Sequence, residues 1–79
     1  QQAEAVELER DIVLLIQAGL RKAGLYHRLP DGQWSEEVDQ ALGQLAARKN
    51  LAYSGPEANQ IPGEVFQQVV EVYLRGKKE

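Results

Sequence analysis

A tight turn followed at once by a capped helix, in the middle of the chain, constrains the fold most. The turn is the dipeptide Asp31-Gly32, a pairing that favours a sharp change of chain direction. Trp34 follows, and Ser35 then offers a side-chain oxygen that can cap a helix. Two glutamates come next, where the helix dipole favours negative charge. The pattern predicts a helix over about residues 35–49 that is fixed at its N-terminus to the rest of the molecule.

Two more amphipathic segments flank this central helix. Apolar residues recur at steps of three and four, which is the pattern of one buried helix face. They predict a first helix over about residues 5–23, ended by Gly24, and a third over about residues 62–75, started by Pro62 and ended by Gly76. The stripe of the first helix is Val6, Val13, Ile16, Leu20 and Ala23, and that of the third is Val65, Phe66, Val69, Val70, Tyr73 and Leu74.

The three segments predict an all-α fold, a compact three-helix bundle around one small core. No strand pattern of useful length is present. Residues 1–10 are expected to be a linker or the frayed start of helix 1, residues 11–76 the single domain, and residues 77–79 a solvated tail. Gly19, inside the first helix, costs about 1 kcal/mol relative to alanine, and either a close crossing by another element or chance would explain it. Because the chain starts at Gln1 and contains no methionine, we expect a fragment of a longer protein.

Composition excludes several classes of function. The formal net charge of −3 argues against nucleic acid as a partner, because phosphate binding needs a basic patch. The basic pairs Arg48-Lys49 and Lys77-Lys78 are explained by the attraction of helix C-termini for positive charge. No apolar run approaches the ~20 residues that a membrane span needs. With one histidine and no cysteine in the chain, neither a metal site nor another cofactor is expected.

The chain also lacks the groups of an enzyme. A catalytic nucleophile needs a base held beside it, and the candidates are Ser35, Ser54 and His27. Ser35 is better explained as a helix cap. His27 lies in the linker between helices 1 and 2, where it is either an exposed loop residue or part of the rim of a binding groove. We therefore predict no catalytic activity.

Several short motifs follow the order and spacing of a known family. They are Ile16-Gln17, Leu20 and Gly24-Leu25-Tyr26 around the end of helix 1; Asp31, Gly32, Trp34, Ser35, Val38, Ala41-Leu42, Leu45-Ala46 and Leu51 in and after the corner; and the run from Ile61 to Val70. Through them, residues 12–72 resemble the peptidoglycan-binding-like domain, a three-helix module appended to many bacterial cell-wall hydrolases. Val38 and Ala46 replace a threonine and a glutamine that are usual in that family. The loop before helix 3 is also longer than the common form.

The resemblance implies a noncatalytic module that binds peptidoglycan, with a periplasmic or extracellular location. Such a module needs a shallow groove, hydrogen-bonding side chains and an aromatic platform. The linker, the corner and the loop before helix 3 supply these residue types, so the expected ligand-binding residues are Tyr26, His27, Arg28, Gln33, Trp34 and Tyr53. Arg28 is expected to pair with a stem-peptide carboxylate. Trp34 has a second interpretation, as an apolar plug beneath the turn.

The alternative is a protein-interaction or dimerisation domain of the same fold, appended to an enzyme and cytoplasmic. The replaced threonine and glutamine, the acidic charge and the wide apolar face of helix 1 favour it. In that case Leu8, Ile12 and Leu15 would pack on an adjacent protein domain or on a second copy of the chain, as a homodimer through helix 1. Sedimentation with purified sacculi, together with sizing of the free domain, would separate the two hypotheses.

Overall fold

The computed structural model describes residues 5–75, which form three α-helices and one pair of short β-strands. The elements in chain order are β1 (Ala5–Glu7), α1 (Arg10–Lys22), α2 (Glu36–Arg48), β2 (Gln60–Pro62) and α3 (Gly63–Arg75). This mainly helical architecture confirms the predicted compact three-helix, all-α fold. Residues 1–4 of the predicted linker, the predicted helix terminator Gly76 and the predicted tail 77–79 lie outside the described residues.

The helix boundaries largely follow the predicted capping residues. The Ser35 hydroxyl accepts the backbone N–H of Val38 at 3.4 Å and so caps α2. Gly24 (φ 81°) follows α1 in the left-handed conformation that commonly terminates helices, and Asn50 (φ 59°) does the same after α2. The third helix begins at Gly63 rather than at Pro62, because Pro62 is the last residue of β2.

The prediction for the start of the first helix is wrong. α1 begins at Arg10 rather than near Ala5, and the residues before it include β1. This strand pairs antiparallel with β2, with Val6 opposite Ile61. The two strands are short, and neither was predicted from the sequence pattern.

The burial of the side chains alternates along the segment before α1. Val6 is half-buried, Glu7 is exposed and Leu8 is buried, which suits the two-residue repeat of a strand. The Leu8 N–H also donates to the Asn59 carbonyl at 2.9 Å, which holds the chain beside the turn that precedes β2. Leu8 therefore contributes to the core from an extended segment and does not widen the apolar face of helix 1.

A two-residue turn leads into β2. Ala58 (φ 52°) and Asn59 (φ 60°) both adopt the left-handed conformation. The flanking residues exchange backbone hydrogen bonds, from the Glu57 N–H to the Gln60 carbonyl at 3.0 Å and in the opposite direction at 2.9 Å. Two successive positive φ angles within such a pair are typical of a type I′ turn. This turn fixes the end of the loop that follows α2.

α1 and α3 cross at very short distance, which accounts for the glycine within helix 1. A Cβ built on Gly19 would lie 2.6 Å from Cγ1 of Val69 and 2.9 Å from the Val69 carbonyl oxygen. Such distances are too short for any side chain larger than a hydrogen atom. Gly19 therefore permits the backbone contact that joins the first and last helices.

The core lies between the three helices and the inner side of β2. Its largest fully buried apolar side chains are Ile16, Leu20, Leu42, Leu45, Ile61, Val38, Val65 and Val69. The predicted stripe of helix 3 is too long at its C-terminal end, because Tyr73 is 37% exposed and Leu74 is 71% exposed. α1 ends at Lys22, whose ammonium lies 4.9 Å from the centre of the Tyr73 ring. Beyond that point α1 offers the last turn of α3 little surface for packing.

Candidate ligand-binding site

A buried glutamine on α1 holds the Asp31-Gly32 corner in place. The side chain of Gln17 is fully buried. Its Oε1 accepts the backbone N–H groups of Asp31 and Gly32, both at 2.9 Å. Its Nε2 donates to Asp31 Oδ1 at 2.9 Å and to the Gln33 carbonyl at 3.0 Å. One side-chain amide therefore fixes both the position and the orientation of the corner relative to α1.

The sequence indicates Gln17 only as part of the Ile16-Gln17 motif, and its role in the corner is visible only in the structure. The available signal is its position on the helix. Gln17 lies four residues after Val13 and three before Leu20, on the buried face of α1. A buried polar side chain needs hydrogen-bond partners in the interior. The pattern therefore predicts an interior hydrogen-bond partner for Gln17, whereas the structure is needed to identify it as the Asp31-Gly32 corner.

Gly32 and Asp31 are both constrained by their surroundings. Gly32 has a φ of 80°, and a Cβ there would lie 2.7 Å from Cγ of Arg10, so the position requires glycine. Asp31 Oδ1 also accepts the N–H of Gln33 at 2.9 Å. The hydrogen bond from Gln17, together with the backbone hydrogen bonds and the positive charge of Arg10, lowers the pKa of the Asp31 carboxyl below its ordinary value.

Three of the predicted ligand-binding residues serve the corner and the core. Tyr26 is 4% exposed, and its hydroxyl accepts a hydrogen bond from Gln17 Nε2 at 3.2 Å. Trp34 is half-buried and packs against the core, as its interpretation as a plug beneath the turn predicts. Gln33 has an exposed side chain, whereas its carbonyl faces Gln17. Of these side chains, only that of Gln33 is freely available to a ligand.

A shallow groove lies between the α1–α2 linker and one side of α2, and we refer to it as the linker groove. It has a volume of about 160 Å³ and is lined by residues 25–27 of the linker and by Glu37, Gln40, Ala41 and Gln44 of α2. Its polar groups are the exposed imidazole of His27, one carboxylate and two amides. This set can both donate and accept hydrogen bonds.

Arg28 lies beside the linker groove rather than inside it. Its guanidinium forms an ion pair with the Glu37 carboxylate. The Arg28 and Glu37 side chains are 70% and 58% exposed, and exposed pairs of this kind contribute little to stability. A ligand carboxylate can therefore replace Glu37 as the partner of Arg28 at small energetic cost.

Tyr53 lies in a different place, which we refer to as the loop cleft. This cleft has a volume of about 270 Å³ and is lined by residues 52–55 and 57 of the loop after α2, by Ala5 of β1 and by residues 60–62 of β2. The Tyr53 hydroxyl donates to Asp39 Oδ1 of α2 at 2.6 Å. Burial and this hydrogen bond raise the pKa of Tyr53 well above its ordinary value, so the phenol stays neutral.

The linker groove and the loop cleft lie on different sides of α2 and share no lining residue. Gln40 lines the groove, and its neighbour Asp39 holds the aromatic residue of the cleft. Successive helical residues point about 100° apart. The structure therefore brings Tyr26, His27 and Arg28 together and separates Tyr53 from them.

The described part of the chain contains neither a metal-binding cluster nor a helix that could span a membrane. Within residues 5–75, no group of three or more histidine, cysteine, aspartate or glutamate side chains is arranged to hold a metal ion. Among the same residues, no helix is both long enough and apolar enough to cross a bilayer.

A family model described as "Putative peptidoglycan binding domain" matches residues 1–69 of the chain. The chain belongs to this peptidoglycan-binding domain family. The match confirms the resemblance carried by the Ile16-Gln17 motif and the Asp31-Gly32 corner. It also begins before α1 and so includes β1, which the resemblance over residues 12–72 had left out. The chain matches no curated protein and no solved structure.

Proposed function

We propose that the domain is a noncatalytic module of a larger bacterial protein and that it binds peptidoglycan through the linker groove. Membership of the peptidoglycan-binding domain family, over residues 1–69, is the observation that carries this proposal. The groove adds a place for the ligand, and one of its lining residues, Tyr26, is held by a hydrogen bond to the same Gln17 amide that fixes the corner. A rigid support lowers the entropy that is lost when a ligand binds.

The chemistry of the linker groove suits the stem peptide of peptidoglycan. Gln40 and Gln44 stand four residues apart on the same side of α2, which separates them by about 6 Å along the helix. An extended peptide repeats every two residues, over about 6.6–6.8 Å. The two amides can therefore each meet one peptide group of an extended chain. Arg28 and Glu37, at the rim, offer charges to the carboxylate and ammonium groups of such a peptide.

The absence of catalysis is part of the proposal and rests on the positions of the few candidate groups. His27 is exposed in the linker, and the Ser35 hydroxyl accepts the N–H of Val38. Ser54 lines the loop cleft, whereas His27 lines the linker groove. No serine is therefore placed beside the histidine that would have to act as its base.

Co-sedimentation of the purified domain with peptidoglycan sacculi tests the proposal. We expect the unmodified domain to pellet with sacculi and the double variant Gln40→Ala/Gln44→Ala to pellet about tenfold more weakly, since each lost hydrogen bond contributes about 0.5–1.5 kcal/mol. Arg28→Ala should weaken pelleting further. Gln67→Ala is the matched control, because Gln67 is an exposed glutamine on α3 outside both concave sites. Equal pelleting of the double variant and the control would place the ligand elsewhere, and no pelleting at all would refute the proposed function.

The second candidate function is a protein-interaction domain, and exposed apolar side chains favour it. Leu29 is 73% exposed and Leu74 is 71% exposed. The proposed homodimer through helix 1 has less support, because Leu8 is buried and Ile12 packs against the core of its own chain. Sedimentation equilibrium of the free domain separates the candidates. A tight dimer that does not pellet with sacculi would favour the interaction domain, whereas a monomer that pellets would favour cell-wall binding.

A further inference from the structure

The loop cleft is the larger of the two concave sites, and the proposed stem-peptide site does not use it. It is lined by β2 and Ala5, by the loop of residues 52–55 and by Glu57. At about 270 Å³, the cleft is slightly smaller than the roughly 300–1,000 Å³ of pockets that hold drug-sized ligands. The size suits a single ring rather than a long flexible ligand.

The aromatic residue of the cleft is held in a fixed orientation. The Tyr53 hydroxyl donates to Asp39, so its position is set by α2. A Cβ built on Gly43 would lie 3.7 Å from Cδ2 of Tyr53, so this edge of the ring lies close to α2. The same residue lines the cleft. Because Tyr53 is only partly buried and lines the cleft, part of its ring is available to a ligand.

The remaining groups of the cleft are polar and nearly uncharged. Ser54 offers a hydroxyl, Gln60 an amide and Glu57 a carboxylate. Glu57 carries the single charge among the lining side chains, because the phenol of Tyr53 is neutral at physiological pH. Negative charge disfavours phosphate and other anions, and one carboxylate is too few for a metal ion. An aromatic surface beside a hydroxyl, an amide and a carboxylate suits a neutral ligand with an apolar face and several hydroxyl groups.

We propose that the loop cleft binds one neutral N-acetylated sugar ring of the glycan strand, with the apolar face of the sugar against Tyr53 and its polar groups toward Glu57 and Gln60. This proposal depends on the proposed function in one respect, the identification of peptidoglycan as the polymer to which the sugar belongs. Together the two sites would bind the two chemical parts of peptidoglycan, the stem peptide on one side of α2 and the glycan on the other.

Titration of the ¹⁵N-labelled domain with N-acetylchitotetraose, a neutral oligomer of N-acetylglucosamine without stem peptides, tests the proposal. We expect saturable changes in amide chemical shift at residues 52–62 and smaller changes in the linker groove. Gln60→Ala should weaken the affinity about threefold to tenfold, the equivalent of about one net hydrogen bond. Gln67→Ala, on the outer side of α3, should bind as the unmodified domain does. Tyr53→Phe keeps the ring but loses the bond to Asp39 and should bind more weakly without unfolding.

The outcomes for the two sites can be told apart. Chemical shift changes that are absent, or that are confined to residues 25–44, would overturn the sugar site even if the domain still pellets with sacculi. Equal affinities for Gln60→Ala and Gln67→Ala would overturn it as well. Saturable shifts at residues 52–62 that Gln60→Ala weakens would support the sugar site, whether or not Gln40 and Gln44 are needed for pelleting.

Discussion

Gln17 and Asp31 hold each other through two hydrogen bonds of 2.9 Å that run in opposite directions. The Gln17 oxygen accepts the Asp31 backbone N–H, and the Gln17 nitrogen donates to the Asp31 carboxylate. A primary amide is the side-chain group that offers a donor and an acceptor side by side at this length. The contact joins the first helix to the corner that starts the second, so the shape of the linker groove depends on it.

Gln17→Leu is expected to destabilise the domain by about 2–4 kcal/mol, because it leaves two backbone N–H groups and a carbonyl in the corner without their partner. Urea denaturation measures the change. The fluorescence of Trp34, the single tryptophan of the chain, reports any displacement of the corner in the folded state. Gln67→Ala should change stability by less than about 0.5 kcal/mol. A loss below about 1 kcal/mol for Gln17→Leu would mean that the corner does not need this amide.

Asp31 should make the stability of the domain sensitive to acid. Its pKa in the folded state is lowered, so its contribution is present at neutral pH and is lost as the pH falls through the folded-state pKa. Between about pH 5 and pH 2, the unmodified domain should lose more stability than Asp31→Asn, which cannot titrate. Denaturation curves for both proteins across this range give the comparison. Parallel loss of stability in the two proteins would show that the Asp31 carboxylate is not favoured in the folded state.

The two glycines inside helices should respond to alanine with opposite signs. Gly19→Ala places a methyl group 2.6 Å from Val69 Cγ1 and 2.9 Å from its carbonyl oxygen, and such overpacking costs about 1–3 kcal/mol. Gly43→Ala meets only Tyr53 Cδ2, at an ordinary 3.7 Å, so it should gain about 1 kcal/mol of helix propensity. Thermal melting of both variants measures the difference. Stabilisation by Gly19→Ala would contradict the close crossing of α1 and α3.

The helices could be predicted from the sequence because their information is local. The steps of three and four in helices 1 and 3, the Ser35 cap and the terminators Gly24 and Asn50 each act within a few residues. The strand β1 could not be predicted in the same way. Two of its three residues, Ala5 and Glu7, are good helix formers, and the segment pairs with β2, which lies beside it in the fold. Pairing between segments so far apart in the chain produces little recognisable sequence pattern in either segment.

The candidate site could be predicted only in part, for the same reason. The linker residues Tyr26, His27 and Arg28 are neighbours in the chain, so their proximity follows directly from the sequence. The separation of Tyr53 from them depends on the direction in which Asp39 points from α2. No local sequence pattern predicts that direction. No sequence pattern marks Gln40 or Gln44, because their proposed role depends on the linker that lies beside them in the fold.

Ala58 occupies a conformation that suits glycine, so Ala58→Gly should stabilise the domain. The φ of Ala58 is 52°, and the left-handed conformation costs an alanine about 1–2 kcal/mol. Part of this gain is lost because glycine makes the unfolded chain more flexible, which leaves an expected increase of about 0.5–1 kcal/mol.

The matched control for this prediction is Ala47→Gly, the same substitution at an exposed position within α2. It should destabilise the domain by about 1 kcal/mol, because glycine is a poor helix former. Urea denaturation of the two variants should therefore shift the midpoint in opposite directions. If both variants lost stability equally, the type I′ turn before β2 would not be strained at Ala58. Ala58 does not line the loop cleft, so Ala58→Gly should also leave N-acetylchitotetraose binding unchanged.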